Sequence, residues 1–166
     1  SGLWTSDHGR YNAMLASGHK WLFHFAQEAG FRTATIMPAI TVGWPESAAM
    51  GFEEIYPAAD IPYAGERFNW VTMPDQFTLS VYEDLLGDDP RRDFIQIALI
   101  SSHAPWVPIP PMLPWDAMGD GTVFNTYAAQ GPTTQPPTVS ATTASYTPTI
   151  AAQVLTIAGH SLLHTG

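Results

Sequence analysis

The segment FIQIALISSHAPWVPIPPMLPWDAMGDG, residues 94–121, is the most informative part of this chain. It opens with an apolar run, residues 94–100, that is rich in isoleucine. A short run of this kind is typical of a strand buried on both faces, as in a parallel sheet. The run ends in Ser101-Ser102-His103, and the prolines that follow exclude a helix or a central strand. The sequence therefore predicts an α/β protein with His103 just beyond a buried strand.

His103 is the first candidate functional residue because of this position. Ligands of open α/β sheets bind in the crevice beyond the carboxyl ends of the strands. A histidine at a strand end can also have a purely structural role, in which its ring hydrogen-bonds a loop carbonyl. The pattern of residues leaves both roles open.

The other predicted elements agree with an α/β order. Apolar residues at three- and four-residue spacing predict one helix over residues 10–29, and Gly30 would end it. Strands are predicted over residues 33–37 and 52–56, and a helix from Pro74 to about residue 87. The apolar face of that last helix would consist of Phe77, Val81 and Leu85.

Composition restricts the possible functions. The chain has 166 residues, no cysteine and a net charge of −9, and its six basic residues are dispersed. Nucleic-acid binding needs a basic stripe that neutralises phosphates, so the charge pattern argues against it. No run of about 18 apolar residues is present, so no transmembrane helix is predicted.

The composition changes after Asp120, and this change predicts the segment boundaries. Residues 121–166 contain no Asp, Glu, Lys or Arg. We expect an α/β domain over residues 1–124, a Thr/Pro-rich linker or extended segment over 125–150, and a strand-like segment over 151–166. An uncharged tail can pack against partner chains without desolvating charge, and open sheet edges favour self-association.

Two tryptophans and a glutamate are candidate substrate-binding residues. Trp44 and Trp106 adjoin prolines in predicted loops, where they would either cover the edge of the core or form walls of a substrate pocket. Glu46, between Pro45 and Ser47, would cap the following turn or bind a ligand. The simpler alternatives are that the two tryptophans cover the edge of the core and that Glu46 caps the turn.

Few residues of the chain are candidates for binding an anion or a metal ion. Arg32 and Arg67 are possible anion contacts by residue type alone. His160 and His164 are four residues apart, but Ser161 stands where the HExxH metal motif has its glutamate.

Four segments resemble the sulfatase-like branch of the alkaline phosphatase superfamily, in the same order along the chain. They are RYNAMLASGHKWLFHFAQEAGFRTATIMPAITVGWPE, GFEEIYPAADIPYAG, FNWVTMPDQFTL and ALISSHAPWVPIPPMLPWDAMGDGTVF. The resemblance covers residues 1–124. It implies part of a three-layer sandwich with a mostly parallel sheet and flanking helices.

The resemblance also implies a chemistry. Such proteins act on sulfate or phosphate esters, or transfer phospho-groups, with a Ser, Thr or formylglycine nucleophile and divalent zinc, manganese or calcium. They are typically membrane-associated, with the catalytic domain outside the cytoplasm, in the periplasm or cell envelope. His103 matches the family histidine near the metal and the substrate anion, so it is the expected catalytic residue.

Other positions depart from the family pattern. The nucleophile and the first acidic metal ligand are expected upstream of Ser1. The segment VLTIAGHSLLHTG resembles a family strand that ends in Gly-Asp-His, and His160 would match its metal-binding histidine, although Gly159 stands in place of the aspartate.

Two functions follow from this resemblance. The first is a segment of a metal-dependent sulfatase- or phosphatase-like enzyme, inactive as this chain alone. The alternative is a catalytically dead module for binding or assembly that keeps part of the fold.

Overall fold

The computed structural model describes residues 2–128, and their centre is a parallel sheet of three strands. The strands are β1 (Arg32–Met37), β2 (Glu54–Pro57) and β3 (Asp93–Ile97), in the order β2–β1–β3. Both pairings are parallel, which confirms the predicted α/β class. Residues 129–166, and with them most of the predicted linker and all of the strand-like segment, lie outside the described residues.

Four α-helices accompany the sheet in the described part of the chain. They are α1 (His8–Ala16), α2 (Leu22–Glu28), α3 (Asp75–Leu86) and the single turn α4 (Asn125–Ala128). None of the helices within residues 2–128 has the length and hydrophobicity that crossing a membrane would need.

The prediction of one helix over residues 10–29 is wrong, because the chain breaks between α1 and α2. Gly18 has a φ of 69°, a left-handed conformation that few other residues adopt easily. The Ser17 hydroxyl donates to the Met14 carbonyl at 2.6 Å and so satisfies one of the last acceptors of α1. The chain restarts at Trp21, whose backbone N–H donates to His24 Nδ1 at 3.0 Å. Apolar residues continue at helical spacing across the break, so the sequence pattern does not reveal the break.

The prediction of a strand after residue 93 is confirmed, but the prediction that it is buried on both faces is wrong. All five residues of β3 are only half-buried, whereas Ala34 and Ile36 of β1 are fully buried. The physical reason is the position of each strand in the sheet, since β1 is the central strand and has a strand on each side. The outer edge of β3 has no partner strand among the residues that the structure describes.

The central strand carries threonines, and each face of β1 has its own packing. Ile36 faces α3, where it packs with Phe77, and Val81 and Leu85 lie against the same cluster as predicted. Thr33 faces α2 and donates its hydroxyl hydrogen bond to the Gly51 carbonyl at 2.9 Å. A buried polar side chain that is hydrogen-bonded in this way costs little stability.

A buried ion pair ties the start of the sheet to the end of α3. Arg32 is 3% exposed, and its Nε donates to Asp93 Oδ1 at 2.7 Å. Its Nη1 donates to the Leu86 carbonyl at 2.7 Å. The hydrogen bond to Asp93 raises the pKa of Arg32. Arg32 is therefore a structural residue, with its guanidinium committed to protein groups.

We expect Arg32→Met to lower the free energy of unfolding by about 2–4 kcal/mol, because it leaves Asp93 and the Leu86 carbonyl without their partner. Urea denaturation followed by circular dichroism measures this loss. The control is Arg92→Gln at an exposed position, where we expect a change within about 0.5 kcal/mol. Equal losses in the two variants would contradict this role of Arg32.

Candidate functional site

Two residues fix the carboxyl end of β3 to the first turn of α3. Asp75 Oδ1 accepts hydrogen bonds from the backbone N–H groups of Ile100 and Ser101, both at 2.9 Å. In return, the Ser101 hydroxyl oxygen accepts the backbone N–H of Asp75 at 3.0 Å. We call these three bonds the Asp75–Ser101 clasp. The clasp gives the loop that follows β3 a fixed starting point.

His103 lies two residues beyond the clasp, in the loop that follows β3. Its backbone N–H donates to the Ile100 carbonyl at 3.1 Å, which forms a tight turn, and its side chain is exposed. Nδ1 lies 2.6 Å from the Ala104 carbonyl oxygen. Because a carbonyl oxygen only accepts, Nδ1 carries the hydrogen. In the neutral ring, Nε2 therefore keeps its lone pair for a ligand.

Trp70 supports the His103 loop from the side. Its ring meets the His103 ring edge-on, with 5.2 Å between centroids, and its Nε1 donates to the Pro105 carbonyl at 2.8 Å. Trp106, a predicted site residue, belongs to the same loop and donates from Nε1 to the Ser102 carbonyl at 3.2 Å. The structure thus brings His103, Trp70 and Trp106 together.

A tight turn carries Trp70 to this place. Phe68 and Val71 exchange two backbone hydrogen bonds, of 2.8 and 3.0 Å, and both side chains are buried. Asn69 has a φ of 58°, and asparagine is among the few residues that adopt this conformation readily. We call residues 68–71 the Trp70 turn. Sequence reasoning chose Trp44 and Trp106 instead of Trp70, although Asn69 between two aromatic residues is a turn signal.

Trp44 and Glu46, two of the predicted substrate-binding residues, lie elsewhere than His103. The Trp44 ring packs 5.9 Å from the Phe52 ring, which precedes β2 at the amino end of the sheet. Glu46 is exposed on the short 3-10 helix Pro45–Met50 that follows Trp44. The reason is the crossover from β1 to β2, which carries these residues back toward the start of β2. His160 lies outside the described residues.

A cavity of about 170 Å³ opens beyond β1 and β2. Its polar lining comes from Arg67 and the hydroxyl-bearing residues Thr41, Tyr63 and Thr72. Arg67, one of the two arginines considered as anion contacts, is exposed there. The carboxyl end of the sheet therefore has two polar features, the His103 loop and the Arg67 cavity.

The residues of this end do not fit a divalent metal. Such an ion needs three or four ligands, usually including a carboxylate. No group of three His, Asp or Glu side chains is close enough to hold an ion within residues 2–128. The carboxylate at this strand end, Asp75, is occupied by two backbone N–H groups. His103 is thus a single nitrogen ligand without partners in the described part of the chain.

No protein-family model, curated protein or solved structure matches this chain. The resemblance to sulfatase-like proteins therefore stays a prediction from the quoted motifs. What the structure shows is the coarser result, a parallel three-stranded sheet flanked by helices.

We expect Asp75→Ala to lower the free energy of unfolding by about 2–4 kcal/mol, since it leaves two backbone N–H groups without their charged acceptor. Urea denaturation measures the loss. Asp84→Ala is the matched control, because Asp84 is an exposed aspartate of the same helix. A loss for Asp75→Ala no larger than for Asp84→Ala would show that the clasp contributes no stability.

Proposed function

We propose that the carboxyl end of this sheet binds a sulfate or phosphate ester, with His103 in contact with the anionic group. The observation that carries the proposal is the exposed His103 ring, oriented by the Ala104 carbonyl and by Trp70 beyond the end of β3. This place is where open α/β sheets bind ligands. The sulfatase-like motifs point to an ester of this kind as the ligand.

The chemistry of the loop suits such a ligand. Nε2 can accept a hydrogen bond from a protonated ester, and the protonated ring can donate one to an anionic oxygen. Trp70 offers an aromatic surface beside His103 for the organic part of the ester. The Asp75–Ser101 clasp holds the loop before the ligand arrives, which reduces the ordering cost of binding.

On this proposal the chain is a segment of an alkaline-phosphatase-like hydrolase or phospho-group transferase that acts outside the cytoplasm, at the cell envelope. His103 contacts the ester, and Trp70 and Trp106 shape its surroundings. Turnover in the family depends on a nucleophile and a divalent metal, and residues 2–128 do not offer a metal-binding group. We therefore propose that the 166-residue chain binds the ester without hydrolysing it.

An assembly module is the second candidate, and the sheet supplies the observation that favours it. Within the described residues, β2 and β3 each have one edge without a partner strand. Unpaired edges can add a strand from another chain. A module with this role would self-associate and would show no preference for esters at His103.

We expect 4-nitrophenyl sulfate and 4-nitrophenyl phosphate to shift the NMR signals of the Trp70 indole N–H and the His103 ring. His103→Ala should weaken binding about tenfold or more, because it removes a charge-assisted hydrogen bond. His19→Ala, at an exposed histidine between α1 and α2, is the control and should bind like the parent chain. Equal affinity in the two variants would overturn the role of His103.

We further expect the chain to hydrolyse neither ester with added zinc, manganese or calcium. The absorbance of released nitrophenolate measures turnover. Hydrolysis that is lost in His103→Ala would show a complete catalytic site and would contradict the proposal of binding without turnover.

A further inference from the structure

We propose that the cavity beyond β1 and β2 is a separate binding site for a small oxyanion that carries a hydrogen-bond donor of its own. Arg67 supplies the charge, and the hydroxyl oxygens of Tyr63 and Thr72 accept hydrogen bonds from the ligand. The proposal does not depend on ester binding at His103, because no residue of the His103 loop lines this cavity.

The size of the cavity limits the ligand. Its volume is about 170 Å³. A cavity of about 150 Å³ in another protein holds one benzene molecule. The site therefore has room for a phosphate or a small hydroxylated acid. Ala58, Ala59 and Met73 provide its apolar wall.

Within residues 2–128, Arg67 has no carboxylate partner. Lys20, Arg32 and Arg91 each form an ion pair, whereas no hydrogen bond or ion pair occupies the Arg67 guanidinium within residues 2–128. The chain has a net charge of −9, so carboxylates are abundant. A guanidinium presents a planar fork of donors that matches carboxylate and phosphate groups. Its place in the cavity wall thus makes an oxyanion the fitting ligand.

The hydroxyl groups determine what else the ligand must carry. Tyr63 donates its only hydroxyl hydrogen to the Glu66 carbonyl at 3.1 Å, and Thr72 donates its own to the Pro38 carbonyl at 2.6 Å. Burial raises the pKa of Tyr63 to about 12, so the phenol keeps that hydrogen at neutral pH. Both oxygens have only lone pairs left. A ligand with a hydroxyl or N–H group satisfies them, and a fully ionised oxyanion does not.

The cavity wall is built into the fold. A Cβ atom at Gly65 would collide with the Tyr63 ring and the Gly121 carbonyl, so the chain here packs backbone to backbone. The Ala64 N–H also donates to the Asp120 carbonyl at 2.8 Å. On the other side, the Trp70 turn fixes the segment between Arg67 and Thr72. The acceptors are therefore in place before the ligand binds.

The test compares inorganic phosphate with sulfate at about pH 6, where phosphate retains at least one proton and sulfate has none. NMR titration follows the Arg67 Nε–H and the Thr41 amide. We expect phosphate to bind about tenfold more tightly than sulfate, because only phosphate can donate to Tyr63 and Thr72. Arg67→Gln should weaken phosphate binding about tenfold or more, and Arg67→Lys should retain part of it. Arg92→Gln, an exposed arginine outside the cavity, is the control.

Phosphate-induced shifts at Arg67 and Thr41 that persist in His103→Ala, together with loss of the Thr41 shift in Arg67→Gln, would support the site, whatever the outcome of ester binding at His103. Three results would overturn it. They are shifts confined to His103 and Trp70, equal phosphate affinity in Arg67→Gln and Arg92→Gln, and sulfate binding as tight as phosphate binding.

Discussion

The hydrogen bonds of the Asp75 carboxylate hold together the carboxyl end of the sheet. One carboxylate oxygen accepts hydrogen bonds from the backbone N–H groups of Ile100 and Ser101. The Ser101 hydroxyl oxygen accepts one from the backbone N–H of Asp75, at the start of α3. Phe77, two residues further along α3, is fully buried against Ile36 of the central strand. The clasp therefore transmits the position of the packed helix to the loop that carries His103. The Trp70 indole adds a second restraint, since its Nε1 donates to the Pro105 carbonyl of the same loop.

The Trp70 turn divides the carboxyl end of the sheet into two chemically different places. Its buried residues, Phe68 and Val71, fix it to the core. Trp70 reaches one way to His103 and Pro105, while Arg67 and Thr72 on either side of the turn line the cavity. One place offers an imidazole and an aromatic surface, and the other offers a guanidinium and hydroxyl acceptors. The two anion sites that we propose therefore lie on opposite sides of one turn.

Local sequence patterns predicted which helices and strands form more successfully than they predicted where those elements lie in the fold. The apolar run at residues 94–100 correctly indicated a parallel strand, but the strand ends at Ile97, and His103 lies further along the loop that follows it. The run did not reveal that β1 is the central strand. Thr33 of β1 is a polar residue, and its burial depends on a hydrogen bond to Gly51, which is distant in sequence. The break at Gly18 was missed because apolar spacing continues through it. Trp44 was grouped with His103 because sequence does not show that the crossover returns to the amino end.

Anomalous diffraction can test our proposal that the carboxyl end of the sheet binds anions. Tungstate is a tetrahedral oxyanion with a heavy scatterer, and crystals of the chain soaked in it would show where such a group binds. We expect an anomalous peak within hydrogen-bonding distance of His103 Nε2. Peaks only at other places, such as the amino end of the sheet near Trp44, or no peak at His103 in crystals where its loop is open to solvent, would contradict the account.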